Sequence, residues 1–278
     1  MNLSIKELKL MANTIRQDIL EIAYKAEGPS HPAPALSCTD VITALYFRIL
    51  NIDQSNPQME ERDRVILSKG HACPALYSAL AERGFFPKDW LYTIRHLNSK
   101  LQGHPDMTKT PGIDMTSGSL GCGLSAGLGM ALYLKQQGKK CRVFVILGDG
   151  EMQEGPVWEA VLSAPAFQAD NLIAIVDNNH FQSCDAVGKI IPFHNMRKVW
   201  EDVGWNTIEI NGHDMDYIVS NLDMAYRYRG KPTCIIANTV KGKGVSYMEY
   251  DNDWHQKVPS EEQYNLAIRE LQEERVCL

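Results

Sequence analysis

Two short words carry the clearest chemistry in this sequence. Gly148-Asp149-Gly150 follows the apolar run from Cys141 to Leu147, and Asp177-Asn178-Asn179 follows the run that ends at Val176. Asp149 and Asn179 stand 30 positions apart. That is the length of one strand-helix-strand unit, so two neighbouring strand ends can bring a carboxylate and an amide oxygen to one point. Oxygen ligands of this kind suit a hard cation such as Mg²⁺, which takes few protein groups and fills its shell with phosphate oxygens and water. Glycines at 148 and 150 let the backbone approach a bulky anion such as a diphosphate. A G-D-G triplet alone is as readily a turn. Its pairing with N-N at this spacing, both behind strands, is what makes it a site signal.

Those words need a sheet to position them. Apolar, β-branched runs at Arg64 to Leu67, Cys141 to Leu147, Asn171 to Val176, Thr207 to Ile210 and Thr233 to Ala237 predict strands buried on both faces. Helical patterns lie between them, at Leu120 to Gln136, Val157 to Phe167 and Met215 to Tyr226. The expected fold is an open, mostly parallel α/β sheet with helices on both faces, its ligand lying beyond the carboxyl ends of the strands. A charged helix from Ser260 to Glu270, with Gln263 three positions after Ser260 as a cap, is expected to pack on the outside. The N-terminus, from Met1 onward, reads as an amphipathic helix rather than a secretory signal.

Composition narrows the classes. At 278 residues and 31.3 kDa the chain can bury a large core. No apolar run approaches the roughly 20 residues needed to cross a bilayer. With 28 basic and 34 acidic residues the net charge is −6, which argues against nucleic acid as a main partner. Seven cysteines without a C-x-x-C pair suggest neither a disulfide framework nor a zinc clip, and predict reduced thiols in the cytoplasm. Gly121, Gly123, Gly127 and Gly129 lack the dinucleotide spacing and are better explained by close helix packing. His180, His194 and His213 show no metal-ligand spacing, His96 fits a helix surface, and none is given a role.

The paired words resemble the thiamine-diphosphate signature, and the words around them resemble the transketolase branch of that superfamily. The match includes Ser68-Lys69-Gly70-His71, Gly103-His104-Pro105, Gly118-Ser119-Leu120-Gly121, Glu154-Gly155, Thr239-Val240-Lys241-Gly242-Lys243-Gly244 and Trp254-His255, running from about residue 4 to 260. The resemblance covers only the diphosphate-binding half of a transketolase. It therefore implies that residues 1–278 form one such domain, with 259–278 a peripheral C-terminal helix and the pyrimidine-binding and C-terminal domains absent. It implies thiamine diphosphate and Mg²⁺ (or Ca²⁺) as cofactors. Asp149, Asn179 and the Phe181 carbonyl would hold the metal. Gly150, His71 and the Gly118-Ser119-Leu120 turn would line the cofactor, with Lys241 and His255 reaching the diphosphate or the reacting end. His31 and His104 would face a sugar phosphate or modified sugar. Glu154 and Glu159 match carboxylates at the family's dimer interface. The implied activity is transfer of a two-carbon ketol unit. The implied assembly is an α2β2 heterotetramer with a separate C-terminal subunit, this chain being inactive alone.

Some positions depart from the family pattern. Around His31 the usual S-G-H-P-G-G is replaced by Ser30-His31-Pro32-Ala33-Pro34, so a differently shaped channel wall is expected there. Cys122 stands where glutamine is usual and His180 where glycine is usual. The alternatives are another thiamine-diphosphate enzyme, such as a 2-oxo acid dehydrogenase component or a deoxyxylulose-phosphate synthase relative, and a non-catalytic diphosphate-binding scaffold. The words at 68–71 and 103–105 favour transketolase.

Overall fold

Five short runs of aliphatic and β-branched side chains become the strands of one sheet. In the computed structural model, which describes residues 2–278, these are β1 (Arg64–Leu67), β2 (Val143–Gly148), β3 (Leu172–Asn178), β4 (Asn206–Asn211) and β5 (Thr233–Asn238). The order across the sheet is β1-β2-β3-β5-β4, and every pairing is parallel, so the sheet is wholly rather than mostly parallel. β1 has the bounds of the sequence reading, and the ends of the other strands differ from it by at most two residues. β2 begins after Arg142, whose amide donates to the Asp63 carboxylate at 2.7 Å instead of joining the ladder. Met1, the first residue of the expected N-terminal helix, lies outside the described residues.

Alternate side chains of each strand enter opposite layers, as a two-residue repeat requires. Phe144, Ile146, Ile173, Ile175 and Ile235 join one core, and Val143, Val145, Leu172, Ala174 and Ile236 join the other. The first core is closed by α1 (Ile5–Lys25), the short α2 (Pro32–Ser37) and α3 (Thr39–Ala44), and α4 (Cys73–Glu82). The second is closed by α5 (Cys122–Gln136) and α6 (Gly155–Ala166). Beyond these come α7 (Val187–Ile190), α8 (Met196–Asp202), α9 (Met215–Arg227) and α10 (Glu261–Cys277). Trp200 of α8 packs into the second core, while α9 packs into the first.

Capping boxes start the two outer helices, Ser4 with Glu7 on α1 and Ser260 with Gln263 on α10. The expected C-terminal helix thus begins where its cap placed it and runs on to Cys277. Its Ala267 and Leu271 are buried, and Asn13 of α1 donates to the Leu271 carbonyl at 2.9 Å. Among the described residues, no helix is long and apolar enough to cross a membrane.

Of the glycines of α5, two act by closeness, and Gly129, also expected to pack closely, does not. A methyl on Gly127 would overlap the Val145 side chain, and one on Gly123 would overlap Ser68. These two positions let the helix lie directly on β1 and β2. Gly129 has nothing within 4 Å. Gly127→Ala is therefore expected to lose about 1–3 kcal/mol through overpacking. Gly129→Ala is expected to gain about 0.5–1 kcal/mol by reducing backbone entropy in the unfolded chain. Urea unfolding of both variants checks the contrast; equal effects would mean the helix does not depend on that approach.

Candidate active site

Four adjoining strand ends open onto one crevice. Ser68-Lys69-Gly70-His71 follow β1, Asp149-Gly150 follow β2, Asn179 follows β3 and Thr239 to Lys241 follow β5. The β2–β3 register sets Gly148 opposite Asp177, and the β3–β5 register sets Asn178 opposite Asn238. The carboxyl ends are therefore level, and the residues just past them meet.

Asp177, the last fully buried residue of β3, receives four donors. These are the Lys69 ammonium, the hydroxyls of Ser37 and Thr239, and the Asn179 amide at 3.1 Å. Lys69 also donates to the Pro34 carbonyl at 2.9 Å. Burial pushes the Asp177 pKa up, but the charge and hydrogen bonds of Lys69 outweigh it and hold the carboxyl below its ordinary value. For Lys69, burial favours the neutral amine, yet Asp177 raises its pKa overall. Both groups are therefore charged at neutral pH.

Beside this pair, the Asp149 carboxylate accepts from the amides of Gly150, at 2.8 Å, and His180. It is 2% exposed. Burial, and secondly repulsion from Asp177, push its pKa up to about 7. The Asn179 side-chain oxygen accepts from the Phe181 amide at 3.0 Å. The Phe181 carbonyl accepts no hydrogen bond among the described residues. A buried carboxylate short of positive charge, an amide oxygen with a spare lone pair and a free carbonyl form an oxygen donor set that fits a hard divalent cation. His180 holds the turn at φ 68°, a left-handed conformation in which glycine would be free of strain.

A cavity of about 290 Å³ lies over these groups. His31, His71, Gly118, Leu120, Asp149, Gly150, Glu154, Asn179, Phe181 and His255 all line it, so sequence words spread over more than two hundred positions converge. The rings of His31, His71 and His255 form a triangle with centroids 5.2–5.5 Å apart. Burial, then the charges of Arg95, His104 and Lys241, bring the His31 pKa down to about 4. Burial, then Lys241 and His31, bring His255 down to about 3. His71 is lowered well below its usual value by burial and then Lys69. All three imidazoles are neutral at neutral pH, able both to donate and to accept.

Other expected residues lie elsewhere. Lys241 is buried outside the cavity lining, its ammonium 2.6 Å from the Asn252 side-chain oxygen and 3.0 Å from His255 Nδ1. Burial, followed by repulsion from Lys69, lowers its pKa to about 8. Ser119 is exposed and does not line the cavity, being the middle of a turn whose two ends do. His104 is exposed too, outside the lining but against Gly118. Glu159 is exposed on α6, and Glu154 is exposed at the cavity rim. The stretch after His31, expected to form an altered channel wall, is the buried α2, and its Pro34 lines the cavity. Pro32 and Pro34 occupy its first turn, where missing amides cost nothing.

Sequence reasoning passed over Lys69, Asp177 and Glu151, although all three lie in or beside words it singled out. Glu151 is buried, accepting from Ser68, from the Gly121 amide at 2.8 Å and from the Gly148 amide at 3.2 Å. It also passed over Gln182, whose Oε1 is buried without a partner, as is Ser117 Oγ. A methyl on Gly150 would come 2.7 Å from Gln182 Cβ. Orphaned polar atoms, a glycine shoulder and neutral imidazoles fit a polar, phosphate-bearing cofactor. A charged residue two positions after a buried strand, as at Lys69, is the signal that could have found the ion pair.

Fold and site together define a class: a parallel α/β domain with a polar cavity and a set of oxygen donors across the carboxyl ends of its strands. The chain belongs to the family described as "Transketolase, thiamine diphosphate binding domain", which it matches over residues 7–270. It is 41% identical over 273 residues to an apulose-4-phosphate transketolase subunit from Actinobacillus succinogenes, covering 98% of this chain and 99% of that one. It is 43% identical over 268 residues to 6-deoxy-6-sulfo-D-fructose transketolase subunit SqwG of a Clostridium species, covering 96% and 97%. Among solved structures, transketolase from Campylobacter jejuni superposes with a TM-score of 0.90 at 31% identity, covering 98% of this chain and 43% of that one.

The buried ion pair generates a test. Lys69→Met leaves the Asp177 carboxylate buried without its counter-charge, and is expected to cost about 3–5 kcal/mol in urea unfolding. Adding Asp177→Asn to that variant should recover part of the loss. No recovery would mean that the lysine matters for packing rather than for charge.

Proposed function

We propose that this chain is the diphosphate-binding subunit of a split, Mg²⁺-dependent (or Ca²⁺-dependent) transketolase, moving a two-carbon ketol unit from a ketose to an aldose. The observation that carries the reading is the single cavity lined by Asp149, Asn179 and Phe181 on one side and by His31, His71 and His255 on the other. On this reading residues 1–278 are one diphosphate-binding domain, and the pyrimidine-binding half belongs to a separate subunit. The names of the two subunit relatives support a split enzyme. They refer to ketoses ending in a phosphate or a sulfonate, and the donor read for this chain is likewise a ketose with a terminal anion.

Thiamine diphosphate, when bound, supplies the nucleophilic carbon and the electron sink for breaking and remaking the bond beside a ketose carbonyl. Asp149, Asn179 and the Phe181 carbonyl would hold the metal. Gly150 and the turn at Gly118 to Leu120 would let the cofactor approach, and His71 would hydrogen-bond to it. Lys241, held against His255, would place positive charge near the diphosphate. His31, His104 and His255 would take and return hydroxyl protons as neutral imidazoles. Glu154 and Glu159, on the exposed side of α6, would meet another copy in an α2β2 assembly. The seven unpaired cysteines support a reducing compartment such as the cytoplasm.

The purified chain is expected to show no ketol transfer, and to gain it when mixed with a partner carrying the pyrimidine-binding half. Robust turnover by the chain alone would sink the split-enzyme reading.

In the assembled enzyme, Asp149→Ala and Asn179→Ala should each abolish Mg²⁺-dependent binding of thiamine diphosphate in calorimetric titrations, because the site has few protein ligands to spare. His255→Ala should lower turnover more than cofactor affinity, since a proton-handling group contributes mainly in the transition state. Unchanged affinity in both metal-site variants would refute the assignment.

A further inference from the structure

Arg95, so far only a charge acting on His31, sits between the two loops that carry His31 and His104. It follows the buried Ile94 and takes a left-handed backbone, φ 65°, with its amide donating to the Leu101 carbonyl at 3.1 Å. That turn sends the side chain back across the loops. One guanidinium nitrogen, Nη1, donates to the carbonyl of Pro29, two residues before His31. The rest of the group lies over Gly103, the residue before His104, where an added methyl would come 2.7 Å from Nε and 3.0 Å from Nη2. Gly103 therefore keeps open the space the guanidinium fills.

We propose that Arg95 is a positioning residue, a charged clamp that ties the His31 loop to the His104 loop and sets the electrostatics of both imidazoles. The inference rests on the transketolase reading, in which those histidines handle substrate hydroxyl protons. Three observations support it. The backbone of the second loop is fixed from behind, Tyr77 donating to the carbonyls of Gln102 and His104 at 3.0 and 3.1 Å, so the clamp closes on a rigid partner. Among the described residues no carboxylate lies within 4.0 Å of the guanidinium, so its charge is not cancelled where it faces the histidines. Arg95 is also the largest charged contributor lowering the pKa of both His31 and His104, after burial in each case. The other groups facing His31 are His71, His255, His104 and Lys241. A guanidinium stays charged throughout the working range, so its repulsion disfavours imidazolium in both rings and keeps them ready to accept a proton.

The test is a pH titration of the histidine side chains by NMR in the folded chain, comparing wild type with Arg95→Gln, Arg95→Lys and Gly103→Ala. Removing the charge in Arg95→Gln should raise the pKa of both His31 and His104 by about half a unit or more, with His194 and His213 unmoved. Arg95→Lys should restore most of the shift. Gly103→Ala, which displaces the guanidinium without deleting it, should move the two rings the same way and keeps the proposal testable if Arg95→Gln does not fold. In the assembled enzyme the acid limb of kcat/KM should move to higher pH in Arg95→Gln while the alkaline plateau stays within about threefold. A uniform loss at every pH, or a titration in which neither ring moves, overturns the clamp. Absence of ketol transfer in the wild-type assembly would instead overturn the functional reading, and the NMR titration would still decide whether the clamp exists.

Discussion

A carboxylate at the end of a strand buried on both faces must find its counter-charge inside the protein. Asp177 finds it in Lys69, with Ser37, Thr239 and Asn179 supplying further hydrogen bonds. The donors come from the segments after β1, β3 and β5 and from α2, so one side chain fixes four pieces of chain relative to one another. A buried pair of this kind repays its desolvation only when nearly every lone pair and proton is satisfied. At Asp177 that condition is met by hydroxyls and an amide that neutral packing alone would not require.

The pair also organises the field around the cavity. Asp149, close to Asp177, has its pKa raised by that charge as well as by burial, and Lys69 only partly offsets it. Lys69, Lys241 and Arg95 disfavour a second proton on the imidazoles. Repulsion from Asp177 thus disfavours a charged Asp149, and repulsion from the cations disfavours charged imidazoles.

How much of this could be read beforehand depends on range. Four strand runs were legible because buried parallel strands leave nearly continuous apolar stretches, whereas β4, expected to be buried on both faces, is an edge strand that exposes Glu209. The words at 148–150 and 177–179 were legible because a strand-helix-strand unit fixes their spacing. The Lys69–Asp177 pair was not: its partners are 108 positions apart, one just past the end of β1 and the other on β3, strands that are not even neighbours in the sheet. The stretch Pro32-Ala33-Pro34 reads as loop because prolines usually mark one, and only the structure reveals that both fall in a helix's first turn, where proline is tolerated. Arg95 escaped for a third reason. Its left-handed backbone belongs to a conformation that glycine, asparagine or aspartate normally signals, and an arginine gives no such hint.

Register is what joins the hydrophobic layers to the chemistry. Because successive residues of a strand face opposite sides, a slip of one residue in β2 would exchange Phe144 and Ile146 with Val143 and Val145 between two differently shaped cores. The same slip would lift Gly148 from its place opposite Asp177 and carry Asp149 out of reach of the His180 amide. The packing of residues that never touch the cavity therefore decides where its carboxylate stands. Gly127 extends this control to the helix: by letting α5 lie on Val145, it holds the register of β2 against the layer and places the Gly121 amide where Glu151 can receive it. The oxygen ligands thus come together as a consequence of how bulky and small apolar residues alternate in the strands beneath them.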